Sequence, residues 1–198
     1  SVAVVDANGC TGSDDVTIIA TPPLIADAGS DISACTSFSG QIGGSPAASG
    51  GTSPYSFAWS PAIGLSSDSV ANPNATIGSN QSYQLIVTDT NGCSATDSAT
   101  ITINLPPTAD AGIDTAGCNS YSGVIGGNPA AVGGSGSYTY AWSPSAGLNA
   151  ANVSNPTASV TTTTTYTLTV TDDEGCTNSD DVVLTLDHVV IGVDAGQD

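Results

Sequence analysis

The sequence contains no lysine, no arginine and no methionine, and its one imidazole is that of His188. Without basic side chains, neither a Lys or Arg salt bridge nor an isopeptide bond through lysine can form. Proteins neutralise nucleic-acid phosphates mainly with Lys and Arg, so we predict no nucleic-acid partner. A membrane-spanning helix needs about 18 or more apolar residues in succession, and the sequence has no such run. We therefore predict no membrane insertion in this segment.

The 18 acidic residues give a formal net charge of −18. The absence of Lys and Arg leaves trypsin no site to cut, which favours selection in a protease-exposed, cation-rich environment over mutational drift. Two cysteines in each small β-rich unit also indicate an oxidising compartment. These features predict an extracellular or cell-surface location.

A short phrase that begins with Asp and ends in Gly-Cys occurs three times, at 6–10, 89–93 and 172–176, so its copies are evenly spaced. Segments 26–29, 42–44 and 59–61 return with the same spacing at 109–112, 125–127 and 142–144. A fixed period indicates one structural unit copied in tandem. We predict the C-terminal part of a preceding repeat at 1–26, complete repeats at 27–109 and 110–193, and the start of a following repeat at 194–198.

Each unit is small, since a domain of this length buries only about 60–65% of the surface of its unfolded chain. Such a unit is marginally stable unless it is stapled or stacked. The partial copy at 1–26 cannot bury a core of its own. We therefore expect a slice of a longer polypeptide, whose missing half is supplied by the preceding repeat or by a neighbouring chain.

Apolar side chains that alternate with period two predict strands in both repeats. The order of segments predicts about seven short strands for each unit, with a Trp on a middle strand and a Tyr on the penultimate one that can act as a tyrosine corner. We therefore predict an all-β fold of tandem immunoglobulin-like β-sandwich repeats of about 83 residues. The side chains assigned to core packing rather than to a ligand are Trp59, Tyr83, Trp142 and Tyr166.

The phrase at 89–93 contains Asn91-Gly92 between two predicted strands. Asn-Gly favours a hairpin with a type I′ turn, in which both central residues have positive φ. The equivalent of Asn91 in the next copy is Glu174, so we expect that turn to differ or to be strained.

Several motifs carry a resemblance to a known family. The sequence has Ala-Asp-Ala-Gly-x-Asp, then Cys, Ile-Gly-Gly-x-Pro-Ala-Ala, Trp-Ser-Pro-x-x-Gly-Leu, Asn-Pro and Tyr-x-Leu-x-Val-Thr-Asp-x-x-Gly-Cys, in this order. The combination resembles the PKD-like repeats of giant secreted surface proteins of Bacteroidota, similar to gliding and surface adhesins exported by the type IX route. The resemblance covers nearly the whole chain and implies a PKD-like sandwich, but it implies no single function.

The cysteines permit two disulfide wirings among Cys35, Cys93, Cys118 and Cys176. Pairing within each repeat would join Cys35 to Cys93 and Cys118 to Cys176, which is the ordinary arrangement of disulfides. Pairing between repeats would join Cys35 to Cys176. If the strand order is that of PKD domains, Cys35 and Cys93 lie at opposite ends of one sandwich, which favours the second wiring.

Carboxylates cluster at the predicted repeat entrances and at the hairpin turns. Hard oxygen ligands that converge at a joint can hold Ca²⁺, so calcium is the one cofactor we consider. The alternative is that these Asp side chains cap turns. The candidate ligands are Asp27, Asp31, Asp89, Asp110, Asp114, Asp172 and Asp173, and the next entrance repeats the pattern with Asp194 and Asp198.

Three segments match the sequence at which Bacteroidota attach O-glycans, which is Asp, then Ser or Thr, then a small apolar residue. The resemblance to that group therefore implies candidate glycosylation sites at Ser69, Ser98 and Thr115.

The sequence argues against an enzyme, because His188 has no counterpart in the other copies and no cationic clamp for an oxyanion can be built. The function we predict is a non-catalytic structural repeat segment of a long extracellular fibre or stalk, whose partners are adjacent repeats and copies of the same protein. The alternative is an adhesive array that binds glycans or surfaces. Its main candidate contact is Tyr121, whose counterpart is Phe38.

Overall fold

The structure is a computed structural model that describes residues 1–18 and 20–187. Within these ranges the chain forms strands, turns and bends, and it contains no helix that is long and apolar enough to cross a membrane. Two compact units are present. Of the described residues, the first comprises Ser1–Ser30, Gln41–Asn74 and Tyr83–Ala99, and the second comprises Asp31–Gly40, Ala75–Ser82 and 100–187.

The predicted repeat boundaries at 27–109 and 110–193 stay a prediction. His188, Asp194, Asp198 and the segment 194–198 lie outside the described residues.

An antiparallel hairpin opens the chain, formed by β1 (Val2–Val5) and β2 (Thr11–Asp14). Every residue of the two strands is exposed. In the next copy the residues equivalent to Val2 and Val4 are Leu85 and Val87, and both are fully buried. The hairpin therefore has the apolar side chains of a core strand without a core around them.

Eight strands follow between residues 25 and 104. They are β3 (Ile25–Ala26), β4 (Ile32–Cys35), β5 (Phe38–Gln41), β6 (Ala48–Ser49), β7 (Ser56–Ser60), β8 (Asn74–Ile77), β9 (Gln81–Thr88) and β10 (Ser94–Asn104). They form a four-stranded sheet in the order β4-β10-β9-β7 and two strand pairs, β3–β6 and β5–β8.

The same arrangement repeats between residues 107 and 187. The strands are β11 (Pro107–Ala109), β12 (Thr115–Cys118), β13 (Tyr121–Val124), β14 (Ala131–Gly133), β15 (Thr139–Ser143), β16 (Thr157–Val160), β17 (Thr164–Thr171) and β18 (Thr177–Asp187). The larger sheet has the order β12-β18-β17-β15, and the pairs are β11–β14 and β13–β16. Each repeat thus has one strand more than the number that we predicted.

The core of the second unit lies between its larger sheet and the two strand pairs. Tyr166, Leu168 and Val170 alternate along β17, and all three are fully buried. They pack with Trp142 of β15 and with Ala158 of the opposing pair. Burial of alternate residues on strands in two layers is the architecture of a β-sandwich. The prediction of an all-β fold of immunoglobulin-like sandwich repeats is therefore confirmed.

Trp142 holds the long loop that follows its strand. Its backbone N–H donates to the carbonyl of Ala151 at 2.8 Å, and its indole Nε1–H donates to the carbonyl of Val153 at 2.9 Å. Trp59 makes the same indole bond to Val70, also at 2.9 Å. Burial of the Trp ring and satisfaction of its one donor are thus achieved together.

One pairing was not predicted from the sequence. β12 runs parallel to β18, with Thr115 opposite Leu184 and Cys118 opposite Asp187. The carboxylate of Asp114, just before β12, accepts a 2.8 Å hydrogen bond from the backbone N–H of Val183 in β18. Val183 immediately precedes Leu184, the first residue of β18 that pairs with β12. The bond from Val183 to Asp114 therefore lies just before the point where the two strands begin to pair.

The prediction that the turn at 172–176 must differ from its counterparts or be strained was wrong. In all three turns only the glycine has positive φ, at 84° for Gly9, 82° for Gly92 and 79° for Gly175. Neither Asn91 nor Glu174 adopts positive φ, so the type I′ assignment was also wrong. The arrangement is that of a tight turn followed by a left-handed glycine, which places no steric demand on the residue before the glycine.

Candidate functional site: a disulfide-linked turn

The turn between β17 and β18 is fixed by one buried carboxylate. Asp172 Oδ1 accepts hydrogen bonds from the backbone N–H groups of Glu174 at 3.1 Å and of Cys176 at 2.8 Å. Asp172 Oδ2 accepts a further bond, at 3.0 Å, from the N–H of Ser135 in a neighbouring loop. Side chains that cap a turn in this way restrict the backbone of the turn. The position of Cys176 is therefore fixed by the hydrogen bonds of Asp172.

Cys176 forms a disulfide with Cys35, the last residue of β4. The two Cα atoms are 5.5 Å apart, and the residues are separated by 141 positions in the sequence. Both cysteines belong to the second compact unit. The bond nevertheless connects residues that lie in the two predicted repeats, 27–109 and 110–193.

A small polar network accompanies the bond. Asn104, which lies opposite Cys35 in the sheet, donates from Nδ2 to Ser33 Oγ at 2.7 Å and to Glu174 Oε2 at 3.4 Å. Ser33 Oγ also donates to Glu174 Oε2, at 3.3 Å. In a chain without Lys or Arg, an amide and a hydroxyl thus serve as the partners of the carboxylate.

Of the two wirings left open by the sequence, the structure has the one between repeats. The dimensions of a strand explain why. Cys118 lies opposite Asp187 at the end of β18, whereas Cys176 precedes the first residue of that strand. At about 3.3 Å per residue the two ends of β18 are roughly 33 Å apart, and a disulfide needs Cα atoms within about 7 Å of each other.

Three cysteines have free thiols, and all three are exposed: Cys10, Cys93 and Cys118. Cys93 and Cys118 were predicted to form disulfides and do not do so here. Cys93 lies in the turn equivalent to that of Cys176. Its position is fixed in the same way, since Asp89 Oδ1 accepts from the N–H of Cys93 at 2.9 Å.

Hydrogen bonding shifts the pKa of Asp89. Burial of this carboxyl would raise its pKa, but backbone N–H groups of Cys93, Thr52, Asn91 and Gly92 stabilise the ionised form and outweigh that effect. The net result is a pKa below the ordinary value of 3.8. A carboxylate that accepts several N–H bonds is strongly held in its charged form.

The seven carboxylates proposed as calcium ligands all accept backbone N–H bonds. Each caps a turn or the start of a strand pairing, and the donors are Gly29 for Asp27, Thr100 for Asp31, Cys93 for Asp89, Gly112 for Asp110, Val183 for Asp114, Cys176 for Asp172 and Ser137 for Asp173. Within 1–18 and 20–187, no three His, Cys, Asp or Glu side chains form a group suited to hold a metal ion. Calcium binding stays a prediction.

Two aspartates that we did not single out act in the same way. Asp97 Oδ2 accepts from the N–H of Ala28, and Asp180 Oδ2 accepts from the N–H of Ala111, both at 2.8 Å. They occupy equivalent positions of the two repeats, so their recurrence in register was the available signal. Ser33 and Asn104 gave no such signal, because the residues at their positions in the next copy are Ala116 and Asp187.

The candidate glycosylation sites differ in accessibility. Ser69 and Ser98 are exposed, whereas Thr115 is half-buried and its hydroxyl donates to the carbonyl of Ile113 at 3.2 Å. Glycosylation stays a prediction at all three.

The aromatic residues considered for glycan binding lie in strands. Tyr121 is the first residue of β13 and Phe38 is the first residue of β5. Tyr121 is half-buried and packs against the core of the second unit. Its ring therefore has a packing role in this structure.

Comparisons with known proteins find similarity in structure alone. No protein-family model matches the chain, and no curated protein sequence matches it. A structure of three titin immunoglobulin domains is 12% identical, with a TM-score of 0.47 over 85% of this chain and 66% of that one. Immunoglobulin domains 1–4 of Sidekick-1 are 15% identical, with a TM-score of 0.47 over 94% of this chain and 57% of that one.

The insect immune protein hemolin is also similar, with 11% identity and a TM-score of 0.41 over 81% of this chain and 46% of that one. The chain spans less than two thirds of the length of each of these structures. At these values the comparisons assign no family and carry no argument about function.

Proposed function

We propose that this chain is a structural repeat segment of a long extracellular fibre or stalk, built from PKD-like sandwiches like those of large secreted Bacteroidota surface proteins, and that it is not an enzyme. Its partners are the adjacent repeats and other copies of the same protein. The observation that carries the proposal is the disulfide between Cys35 and Cys176, because it ties one sequence repeat to the next.

The mechanical consequence of the bond supports this role. A load applied to the two ends of the chain passes from Cys35 directly to Cys176, so the chain between these cysteines, which are 141 positions apart, bears none of it. At about 3.5 Å per extended residue, the bond holds back roughly 490 Å of extension. A fibre gains stiffness when its repeats cannot be pulled apart one after another.

The absence of basic side chains fits the same role. With a formal net charge of −18, the chain has no Lys or Arg side chain to attract polyanions or to be cleaved at by trypsin-like proteases. Net charge far from zero also keeps separate surfaces from associating indiscriminately. Adhesion to glycans is not favoured by any contact described above, since Tyr121 packs against the core.

The proposal is tested by pulling the intact chain by its two ends. The oxidised protein should extend by no more than about 200 Å, because only the residues outside the bonded loop are free to lengthen. Addition of dithiothreitol should release roughly 490 Å more.

Two variants make this test specific. Cys35→Ser should extend fully without reductant, and Cys118→Ser, which removes a free thiol, should behave as the unmodified chain does. Full extension of the oxidised chain at low force would remove the basis for a load-bearing role.

A further inference from the structure

The second compact unit has a small cavity with walls from β12, β13 and β18. Its volume is about 100 Å³, and the residues that line it include Ile113, Thr115, Tyr121, Val124, Gly126 and Val182. Pockets for drug-sized molecules measure about 300–1,000 Å³, whereas an apolar cavity of about 150 Å³ takes up one benzene molecule. The cavity therefore has room for a single side chain of a partner.

Two aliphatic residues at this cavity are exposed to solvent. Ile113 is 86% exposed and Val124 is 63% exposed. At the equivalent positions the first predicted repeat has Ser30 and Gln41, which are polar. That repeat builds the same strands without apolar residues at these positions, so folding does not require the exposed apolar surface of Ile113 and Val124. Contact with a partner would remove this surface from water, which is favourable.

Three carboxylates are hydrogen-bonded to backbone that forms or adjoins the walls of the cavity. Gly112 and Ala111 line the cavity, and Val183 follows the lining residue Val182. A carboxylate has about four acceptor positions, so one backbone bond leaves capacity for a donor from outside. The donors are the N–H groups of Gly112 for Asp110, Ala111 for Asp180 and Val183 for Asp114, at 2.8–2.9 Å.

Charge decides which kind of partner fits this cavity. The sequence has no Lys or Arg side chain to place beside these carboxylates, and a second copy of the segment has none to offer either. The formal net charge of −18 on each copy would also oppose their approach. A lysine or arginine side chain matches both features of the site, because it has an aliphatic stem and a cationic head.

We propose that this cavity binds a lysine or arginine side chain of a basic partner polypeptide. The aliphatic stem lies against Ile113, Val124 and the half-buried ring of Tyr121, and the cationic head faces the carboxylates of Asp110 and Asp114. Arginine suits the site better than lysine, because a guanidinium group stacks on aromatic rings and donates two bonds to a carboxylate. This partner is additional to those of the proposed fibre, and its binding does not depend on the disulfide.

The experiment titrates the isotope-labelled full chain with a blocked pentapeptide that has one arginine between glycines, and follows the backbone amide signals by NMR. We expect saturable shifts at Gly112, Ile113 and Val124. A peptide with citrulline in place of arginine has nearly the same shape but no charge, and it should bind about five-fold more weakly or worse. Raising the salt concentration should weaken binding of the arginine peptide, because salt screens exposed charges.

Substitutions that copy the first predicted repeat test the apolar contact. Ile113→Ser and Val124→Gln introduce the residue types that this fold already accepts at the equivalent positions. Each should weaken binding of the arginine peptide about three- to ten-fold, because the stem loses apolar contact. Val132→Ser is the matched control, since Val132 is 51% exposed, lies outside the lining of the cavity and has Ser49 as its equivalent. This variant should bind the arginine peptide as the unmodified chain does.

Equal binding of the arginine and citrulline peptides would overturn the inference, as would unchanged binding by a variant that combines Ile113→Ser with Val124→Gln. Shifts of equal size at Gly29, Ser30 and Gln41 would also contradict it. The first predicted repeat has equivalent carboxylates without the exposed aliphatic residues, so that result would indicate general attraction to negative charge. None of these outcomes bears on the disulfide that carries the proposed function, so the two proposals fail separately.

Discussion

The hydroxyl of Tyr166 donates a 2.7 Å hydrogen bond to the backbone carbonyl of Ala146, twenty positions earlier in the sequence. Tyr83 makes the equivalent bond to Ile63 at 2.6 Å. Burial raises the pKa of Tyr166 above its ordinary value of 10.0, so the phenol stays protonated and able to donate. The tyrosine corner expected from the sequence is thus a long-range bond that ties β17 to the loop after β15.

Tyr166→Phe removes this donor and leaves the carbonyl of Ala146 without its partner. The net contribution of an intramolecular hydrogen bond to stability is about 0.5–1.5 kcal/mol. Urea denaturation should therefore give a free energy of unfolding lower by that amount. Tyr121→Phe is the matched control, since its hydroxyl makes only an exposed 3.3 Å contact with the carbonyl of Val124. Equal effects of the two substitutions would contradict this account.

Cys35→Ser should destabilise the chain because it opens the 141-residue loop. The chain-entropy estimate for a loop of this size is about 5 kcal/mol, which is an upper value because reduced chains retain some structure. Cys118→Ser should leave the unfolding free energy within about 0.5 kcal/mol of the unmodified chain, as surface substitutions usually do. A Cys35→Ser variant as stable as the Cys118→Ser variant would show that the bond does not restrain the unfolded chain.

Gly126→Ala should destabilise the second unit for two reasons. Gly126 has φ of +103°, a region that costs a side-chain-bearing residue about 1–2 kcal/mol. A Cβ at this position would also lie 2.6 Å from the carbonyl oxygen of Ser154. Gly133→Ala is the control, because Gly133 has φ of +74° and nothing within 4 Å of its added Cβ. The Gly126 variant should show the larger loss in thermal denaturation, and the opposite order would contradict the packing described here.

The free energy of unfolding should fall in acid, over a pH range set by the ionisation of Asp89. Its pKa in the folded state lies below 3.8, so the folded chain holds this carboxylate ionised where the unfolded chain protonates it. The contribution is therefore fully present above pH 3.8 and is lost as the pH falls through the lower folded value. Denaturation measured at a series of pH values, from neutral to below 3.8, should show this decrease in the free energy of unfolding. In Asp89→Asn the acid-dependent part should be smaller, and an unchanged pH profile would refute the assignment.

Much of the fold could be predicted because alternation along the strands is strong. Tyr166, Leu168 and Val170 lie on one face of a single strand, and burial follows directly from that pattern. The parallel pairing of β12 with β18 could not be predicted in this way. β12 has only four residues, and its pairing depends on the hydrogen bond that the carboxylate of Asp114 accepts from the N–H of Val183, 69 positions later in the sequence.

The turns at 89–93 and 172–176 show where the preference of Asn-Gly for type I′ hairpins led to a wrong prediction. Asn-Gly favours type I′ hairpins, but Asp172 offers its carboxylate to two backbone N–H groups within the turn and so stabilises a different one. The same Asp is present in all three copies, and it was a better guide than the residue before the glycine.

From the sequence, the disulfide pairing could be narrowed to two alternatives, within repeats or between them, but the choice between these could not be made. Its outcome depends on the length of β18, which separates Cys118 from Cys176, and on the chain geometry that brings Cys35 to the turn. The network of Ser33, Asn104 and Glu174 was beyond prediction, because none of these residues recurs at the equivalent position in the other copies.

The most direct test of the covalent link between repeats is disulfide mapping of the unreduced protein by mass spectrometry. Pepsin is suited to the digestion, because it needs no Lys or Arg and works in acid, where thiolate exchange is slow. The account predicts a peptide pair joined through Cys35 and Cys176. Pairs joined through Cys35–Cys93 and Cys118–Cys176 would contradict it, since the repeats would then be stapled separately and no bond would carry load from one to the next.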